Sequence, residues 1–272
     1  MLRDFCLPTI FVALIDLMGA PTVHAAEIKI ECTEGGCSYH LDGEIVQGDY
    51  ERLRSLLKQK RAEIWYVELD SPGGDLQEAL RIAELIRNAF LDTSVRVDIS
   101  DIADLSTARV GHCASACFLV WVGGVYRNNS PLLYTRSSLS PFFLHRPYFN
   151  SSRYSSTDAK VLAQETARLN SLVREFLSTN GVPQRIIDEM MKRSSVDAYR
   201  LTKEEADSVA GYAAWYEEWL LARCGDNPFK LPETLSIEDS VKIINDPKWQ
   251  HWDQCRTESI LEARTRFLAS LN

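Results

Sequence analysis

A chain of 272 residues, 45% hydrophobic and 25% charged, carries enough apolar side chains for a full core, which excludes a wholly disordered polymer. Its formal charge of -8 excludes the broad basic surface on which non-specific nucleic-acid or anionic-membrane binding depends.

The first segment, residues 1–26, has an early Arg3, an apolar run from Cys6 to Ile15, and the ending Val23-His24-Ala25-Ala26. That pattern reads as a signal peptide cut near Ala25 or Ala26, the alternative being an amphipathic helix kept in the mature protein. No later run is long and apolar enough to span a bilayer, so no stable membrane insertion is expected after the signal is removed. Glu27 to Gly48 places Gly35-Gly36 and Asp42-Gly43 between short alternating runs, which suggests a small hairpin. Tyr50 to Lys60 reads as a helix, Ile64 to Leu69 as a strand, and Asp70 to Gly74 as a turn. From Asp75 the apolar residues Leu76, Ala79, Leu80, Ala83, Leu85 and Ile86 keep helical spacing.

Val95, Val97 and Ile99 alternate with polar residues and predict a second strand, so the unit reads as a right-handed β-α-β crossover. Cys113 to Gly124 is read as a buried helix opening near Ser115, and Phe142 to His145 as a third strand ending on the histidine. Asp158 to Thr179 predicts an amphipathic helix stopped by Gly181, with Pro183 opening another at its first turn. Thr202 and Glu205 suit a capping box for a short helix through Val209. From Cys224 the composition shifts to Pro228, Pro232 and Pro247 with short helical runs, and a charged helix follows from about Arg256.

Removal of the first segment leaves Cys32, Cys37, Cys113, Cys117, Cys224 and Cys255. Proximity in sequence suggests the pairs Cys32–Cys37, Cys113–Cys117 and Cys224–Cys255, one connectivity of about fifteen. None has the doubled spacing of a zinc site, so no metal is expected. A bridge between Cys113 and Cys117, placed on one helix face, requires a distorted first turn, and would staple the turn that carries Ser115. Two buried thiols or a redox switch are the alternatives.

Acyl transfer by a serine needs an exposed hydroxyl, a base in reach, oxyanion donors and a group that orients the base. Ser115 stands between two alanines at a predicted helix start, where the helix N-terminus favours developing negative charge; taken alone it reads as a helix cap. His145 closes an apolar strand before Arg146-Pro147, where it is either a base or a simply hydrogen-bonded histidine. The glycines of Ser71-Pro72-Gly73-Gly74 permit backbone conformations that aim N–H groups at an anion, or make an ordinary tight turn.

Taken in order, the runs Leu69 to Leu76, Cys113 to Cys117 and Phe143 to Pro147 resemble the proteolytic subunit of the Clp protease. The similarity is greatest to its secreted relatives, the periplasmic Clp-like proteins, in which cysteines flank the serine. The resemblance covers residues 64–210 and implies an α/β, ClpP/crotonase-like β-α-β superhelix with a largely parallel sheet. With the signal peptide (1–26) and the shift in composition after Cys224, the expected organisation is that segment, a ClpP/crotonase-like domain (27–222) and a disulfide-linked helical C-terminal extension (223–272), the last of which owes nothing to the resemblance. Carried over residue by residue, the resemblance makes Ser115 the nucleophile, His145 the general base, and Gly73, Gly74 and Ala116 the oxyanion hole. Asp197, ahead of the run Leu201 to Ala206, matches the third member with its spacing off by about one residue, and Asp188 is the fallback.

The resemblance thus implies a periplasmic or secreted serine peptidase acting on peptides or proteins, with no cofactor and a homo-oligomeric assembly. The chain holds no Gly-x4-Gly-Lys-Ser/Thr phosphate loop, and an exported protein would lack the ATP supply of the Clp unfoldase partner. Two other readings stand beside it: a Ser-Lys peptidase using a base such as Lys160, and a scaffold that kept the fold and lost turnover.

Overall fold

The computed structural model describes residues 25–33, 36–59, 64–98, 109–129, 139–148, 158–229 and 237–271. The expected signal peptide lies outside them except for Ala25 and Ala26. Both belong to the fold: Ala25 bridges Glu44, and the buried Ala26 donates its N–H to the Glu44 carbonyl at 2.7 Å.

Strands β1 (Glu27–Thr33) and β2 (Gly36–Asp42) form the expected hairpin, with Cys32 opposite Cys37. Helix α1 (Asp49–Gln59) follows, then β3 (Ile64–Asp70) and α2 (Leu76–Asn88). The cap of α2 is Asp75, whose carboxylate accepts the Glu78 N–H at 2.9 Å and satisfies one of the orphan donors of the first turn.

The strand expected from Val95 onward divides in two, β4 (Asp92–Val95) and β5 (Val97–Asp98), while Ile99 lies outside the described residues. The two halves take different partners: β4 pairs with β3, whereas β5 turns away to pair antiparallel with β6 (Arg109–Val110). Next come β7 (Cys113–Ala114), α3 (Ala116–Val122), β8 (Tyr126–Asn128) and β9 (Leu139–Leu144). Helices α4 (Ala159–Thr179) and α5 (Gln184–Lys192) follow as predicted, capped by Asp158 and started after Pro183. Strand β10 (Tyr199–Thr202) leads into α6 (Lys203–Asp207), where Thr202 and Glu205 form the expected capping box.

The fold is mixed α/β, and its main sheet is mixed, with the expected parallel strands at its centre. The order is β1-β2-β3-β4-β8-β11, where β11 is Gly211–Tyr212. The central pairings β2·β3, β3·β4 and β4·β8 are parallel, while the outermost pairings β1·β2 and β8·β11 are antiparallel. The hairpin that joins β1 to β2 needs only a tight turn and makes that pair antiparallel. A second sheet, β10-β9-β7, carries the residues expected to do chemistry.

Helix α3 is buried on every side and lies between the two sheets, which explains why its sequence shows no amphipathic period. Phe118, Trp121 and Phe142 pack ring against ring there, with centroids 4.3 to 5.7 Å apart. The C-terminal residues form α7 (Ala214–Cys224), α8 (Ile237–Ile244) and α9 (Pro247–Ser270). They are not a detached arm. Leu268 joins the main core, and Ile260 joins a second cluster with Val125, Ala213, Tyr216 and Leu220.

The three cysteine pairs Cys32–Cys37, Cys113–Cys117 and Cys224–Cys255 all stand at disulfide distance. For the middle pair the expected helix-face geometry is corrected. Cys113 sits in β7 rather than on the helix, and the turn at Ser115 brings its Cα to 5.2 Å from that of Cys117.

Candidate active site

Ser115 occupies the sharp turn from β7 into α3. Its backbone has φ 54 and ψ -120, a conformation that a residue with a Cβ adopts only under constraint. Several contacts impose it. The Ser115 N–H donates to the Phe143 carbonyl at 2.8 Å, its carbonyl accepts from Phe118 N–H at 3.1 Å, and Cys113 joins Cys117 across it. The hydroxyl makes no capping hydrogen bond to α3, so the helix-cap reading of this serine does not hold. It stands half-buried at the N-terminus of a helix, where the partial positive charge of the unpaired N–H groups favours an anion.

Pairing of the second sheet brings the histidine alongside. Strands β7 and β9 run parallel with Ala114 opposite Phe143, so Ser115 and His145 leave adjacent strand ends. His145 is 9% exposed, and its Nδ1 lies 2.9 Å from the Arg146 carbonyl oxygen. A carbonyl only accepts, so that contact puts the proton on Nδ1 and leaves Nε2 as the basic nitrogen. Tyr148 packs against the ring with centroids 5.4 Å apart. Beyond it lies a recess of about 360 Å³ lined by Arg146, Pro147, Tyr148, Leu162, Thr166 and Asn170.

The two aspartates expected as third member accept their hydrogen bonds from neighbouring side chains other than His145. Asp197 is exposed, and its carboxylate pairs with Arg193 at 3.0 Å. Asp188 pairs with Arg174 at 2.9 Å and accepts from Gln184 at 3.0 Å on the outer face of α5. The contact that His145 Nδ1 makes is with the carbonyl of Arg146. Lys160, the base of the Ser-Lys alternative, stands exposed in the first turn of α4.

Gly73 and Gly74 have φ 97 and 141, backbone shapes that side chains rarely allow. Space makes the same demand. A Cβ on Gly73 would lie 2.8 Å from the Ser115 Cβ and 2.7 Å from the Ala114 carbonyl oxygen, so the turn packs directly on the serine. A Cβ on Gly74 would lie 2.1 Å from the Ile45 carbonyl oxygen. The Gly73 N–H donates at 3.1 Å to Ser71 Oγ within its own turn. Gly74 bridges Ile45 through the Gly73 carbonyl and the Asp75 N–H, which leaves its own N–H turned away from Ile45. Ala116 is the first residue of α3, a position whose N–H has no acceptor inside the helix.

No family model matches the chain, and no curated protein matches it. Among solved structures it is similar to ClpP1 from Listeria monocytogenes and to an Asn-to-Asp mutant of the same protein. The mutant is 14% identical with a TM-score of 0.42, and the match covers 64% of this chain and 86% of that one. The unmutated protein is 16% identical with a TM-score of 0.39, over 64% of this chain and 86% of that one.

Two residues at the site went unread in the sequence, Asp70 and His112. Asp70 is 8% exposed, and its Oδ1 accepts both the His112 N–H at 3.0 Å and the His112 Nδ1 at 2.8 Å. Its Oδ2 accepts from Arg109 at 2.8 Å. Hydrogen bonding from the His112 ring is the largest influence on this carboxyl and holds it below the usual range despite its burial. The separation of 42 residues hides the pair from any local reading; only the position of Asp70 just ahead of the glycine turn hinted at it.

Proposed function

We propose that this chain is an exported Clp-like serine hydrolase that cleaves peptide bonds through an acyl-enzyme on Ser115. The observation that carries the reading is the backbone of Ser115, a non-glycine residue at φ 54 whose hydroxyl caps nothing and whose Cβ packs beside the backbone of Gly73. Backbone strain of this kind is enriched at functional sites, and among the described residues Ser115 shares a positive φ outside glycine with Phe90, which packs in an aromatic cluster and carries no polar group.

His145 Nε2 takes the Ser115 proton as Oγ attacks the peptide carbonyl, and the C=O pair moves onto oxygen. Ala116 and Gly74 supply N–H groups to that oxyanion, with Gly73 joining once its N–H leaves Ser71 Oγ. Collapse expels the amine, which takes the proton from His145. Water then attacks the ester by the same route and restores the serine. Without a carboxylate behind His145 the imidazolium gains less stabilisation, which favours slow turnover.

The three cysteine pairs at disulfide distance support a periplasmic or secreted location. Among the described residues, no helix is long and apolar enough to cross a membrane. We take the substrate to be a peptide or protein, the assembly to be a homo-oligomer, and residues 223–272 to be an extension of the 27–222 domain.

A second reading, a catalytically inactive scaffold in the cell envelope, draws on the same histidine. Its Nδ1 is satisfied by a backbone carbonyl and Asp197 is turned to Arg193. Fluorophosphonate labelling of the mature protein separates the two. The hydrolase labels, and Ser115→Ala and His145→Ala abolish it. An intact, disulfide-bonded sample that never labels establishes the scaffold.

A further inference from the structure

The nucleophile and the oxyanion turn come from segments about 40 residues apart, so some contact must set the distance between them. Among the described residues, one bridge, Ser71 to Cys113, joins them through the backbone. In it, the Ser71 N–H donates to the His112 carbonyl at 2.8 Å and the Ala114 N–H to the Ser71 carbonyl at 2.9 Å. One bridge is a weak hinge. Asp70 extends it with its side chain: one carboxylate oxygen holds both the main chain and the ring of His112, and the other holds Arg109.

The fit around that carboxylate is close. A Cβ on Gly111 would come within 3.0 Å of the Asp70 carboxyl carbon, so a glycine there lets the side chain lie across the neighbouring segment. The ring of His112 is half exposed, whereas Asp70 is buried, so the contact is anchored on the carboxylate side. A carboxylate acceptor makes such hydrogen bonds about twice as strong as neutral ones.

We infer that Asp70 and His112 are positioning residues, a clamp that fixes the Ser71–Gly74 turn against the strand delivering Ser115. The inference rests on the serine-hydrolase reading for its catalytic consequence. The clamp acts through Gly73, whose backbone packs on Ser115 and Ala116 and has no side chain to hold its own place. Loosening the hinge moves the oxyanion donors relative to Oγ, and a displacement of about 1 Å in such a site costs on the order of 100-fold in rate.

The test compares His112→Ala, which removes the ring donor, with His112→Asn, which offers an amide N–H at the same distance along the side chain. Two quantities are read: the inactivation constants for a fluorophosphonate probe, and hydrogen exchange at the Ser71 and Ala114 amides. In the alanine variant the maximal inactivation rate falls about 10- to 100-fold with the probe's KI unchanged, and both amides exchange at least about tenfold faster. The asparagine variant restores both. Equal slowing of both variants would assign His112 an acid–base role and overturn the clamp, as would wild-type exchange and labelling in the alanine variant. Should the wild-type protein itself never label, the hydrolase reading falls, and amide exchange alone still decides whether Asp70 and His112 hold the turn.

Discussion

Replacing Ser115 by glycine should make the protein more stable than replacing it by alanine. At φ 54 and ψ -120 a residue with a Cβ carries about 1–3 kcal/mol of backbone strain, and glycine carries almost none. Alanine removes the hydroxyl and keeps the strain. Glycine removes both, and its greater freedom in the unfolded chain takes back about 0.5–1 kcal/mol. Taking about 2 kcal/mol for the strain leaves the glycine variant ahead by about 1 kcal/mol, or about 2–4 °C in Tm for a chain of this size. Because both variants lack the hydroxyl, comparing them cancels its contribution. Scanning calorimetry of the two oxidised variants measures the difference directly, and neither should react with a fluorophosphonate. A glycine variant that melts with or below the alanine variant would show that the Ser115 backbone is not strained, and would remove the main support for a nucleophile there.

Asp92, at the start of β4, is half-buried and accepts the Tyr126 N–H at 3.2 Å; burial pushes its carboxyl up to about 6 from an ordinary 3.8, against the pull of Arg256 and Arg264. A raised carboxyl pKa favours folding below the unfolded value and loses that contribution as pH rises to about 6. Asp92→Asn keeps the acceptor, so it should stabilise by about 2 kcal/mol at pH 8, after discounting for partial exposure, and by almost nothing at pH 4. Melting curves at the two pH values check this, and an equal shift at both would contradict it. Arg264, 1% exposed, donates to the Ala89 and Phe90 carbonyls at 2.7 and 3.0 Å at the end of α2 and lies over the Trp65 ring. Burial lowers its pKa to about 10. Arg264→Met should cost about 2–4 kcal/mol in urea unfolding, because it leaves two carbonyls without their donors. A change below about 0.5 kcal/mol would mean that α9 is held by its apolar contacts alone.

Local pattern and tertiary pairing divided the work unequally along this chain. Helices α1, α2, α4 and α5 were legible because apolar spacing reports which face is buried, and because Asp75, Asp158 and the Thr202–Glu205 box satisfy helix ends within a few residues. Two of the three cysteine pairs are separated by 5 and 4 residues, so proximity in sequence was already proximity in space. The order of Ser-Pro-Gly-Gly, Ser115 and His145 was legible too, since each motif is local.

Everything that depends on register was not. An alternating run tells that a strand is half-buried and says nothing of its neighbour, so the division of β4 from β5 and the antiparallel edges of the main sheet came only with the fold. Asp197 stands in the order expected of a third member, and its carboxylate pairs with Arg193 four residues before it, a local contact that sequence spacing could have suggested. Conversely, Asp70 and His112 meet across 42 residues because two strand ends converge, and Arg264 reaches the end of α2 across 175. The sequence by itself determined which segments turn, coil and bury, and where a nucleophile is to be sought. Only the tertiary structure decided which polar groups distant in sequence face one another, because those partners are chosen by long-range pairing that no short window of sequence contains.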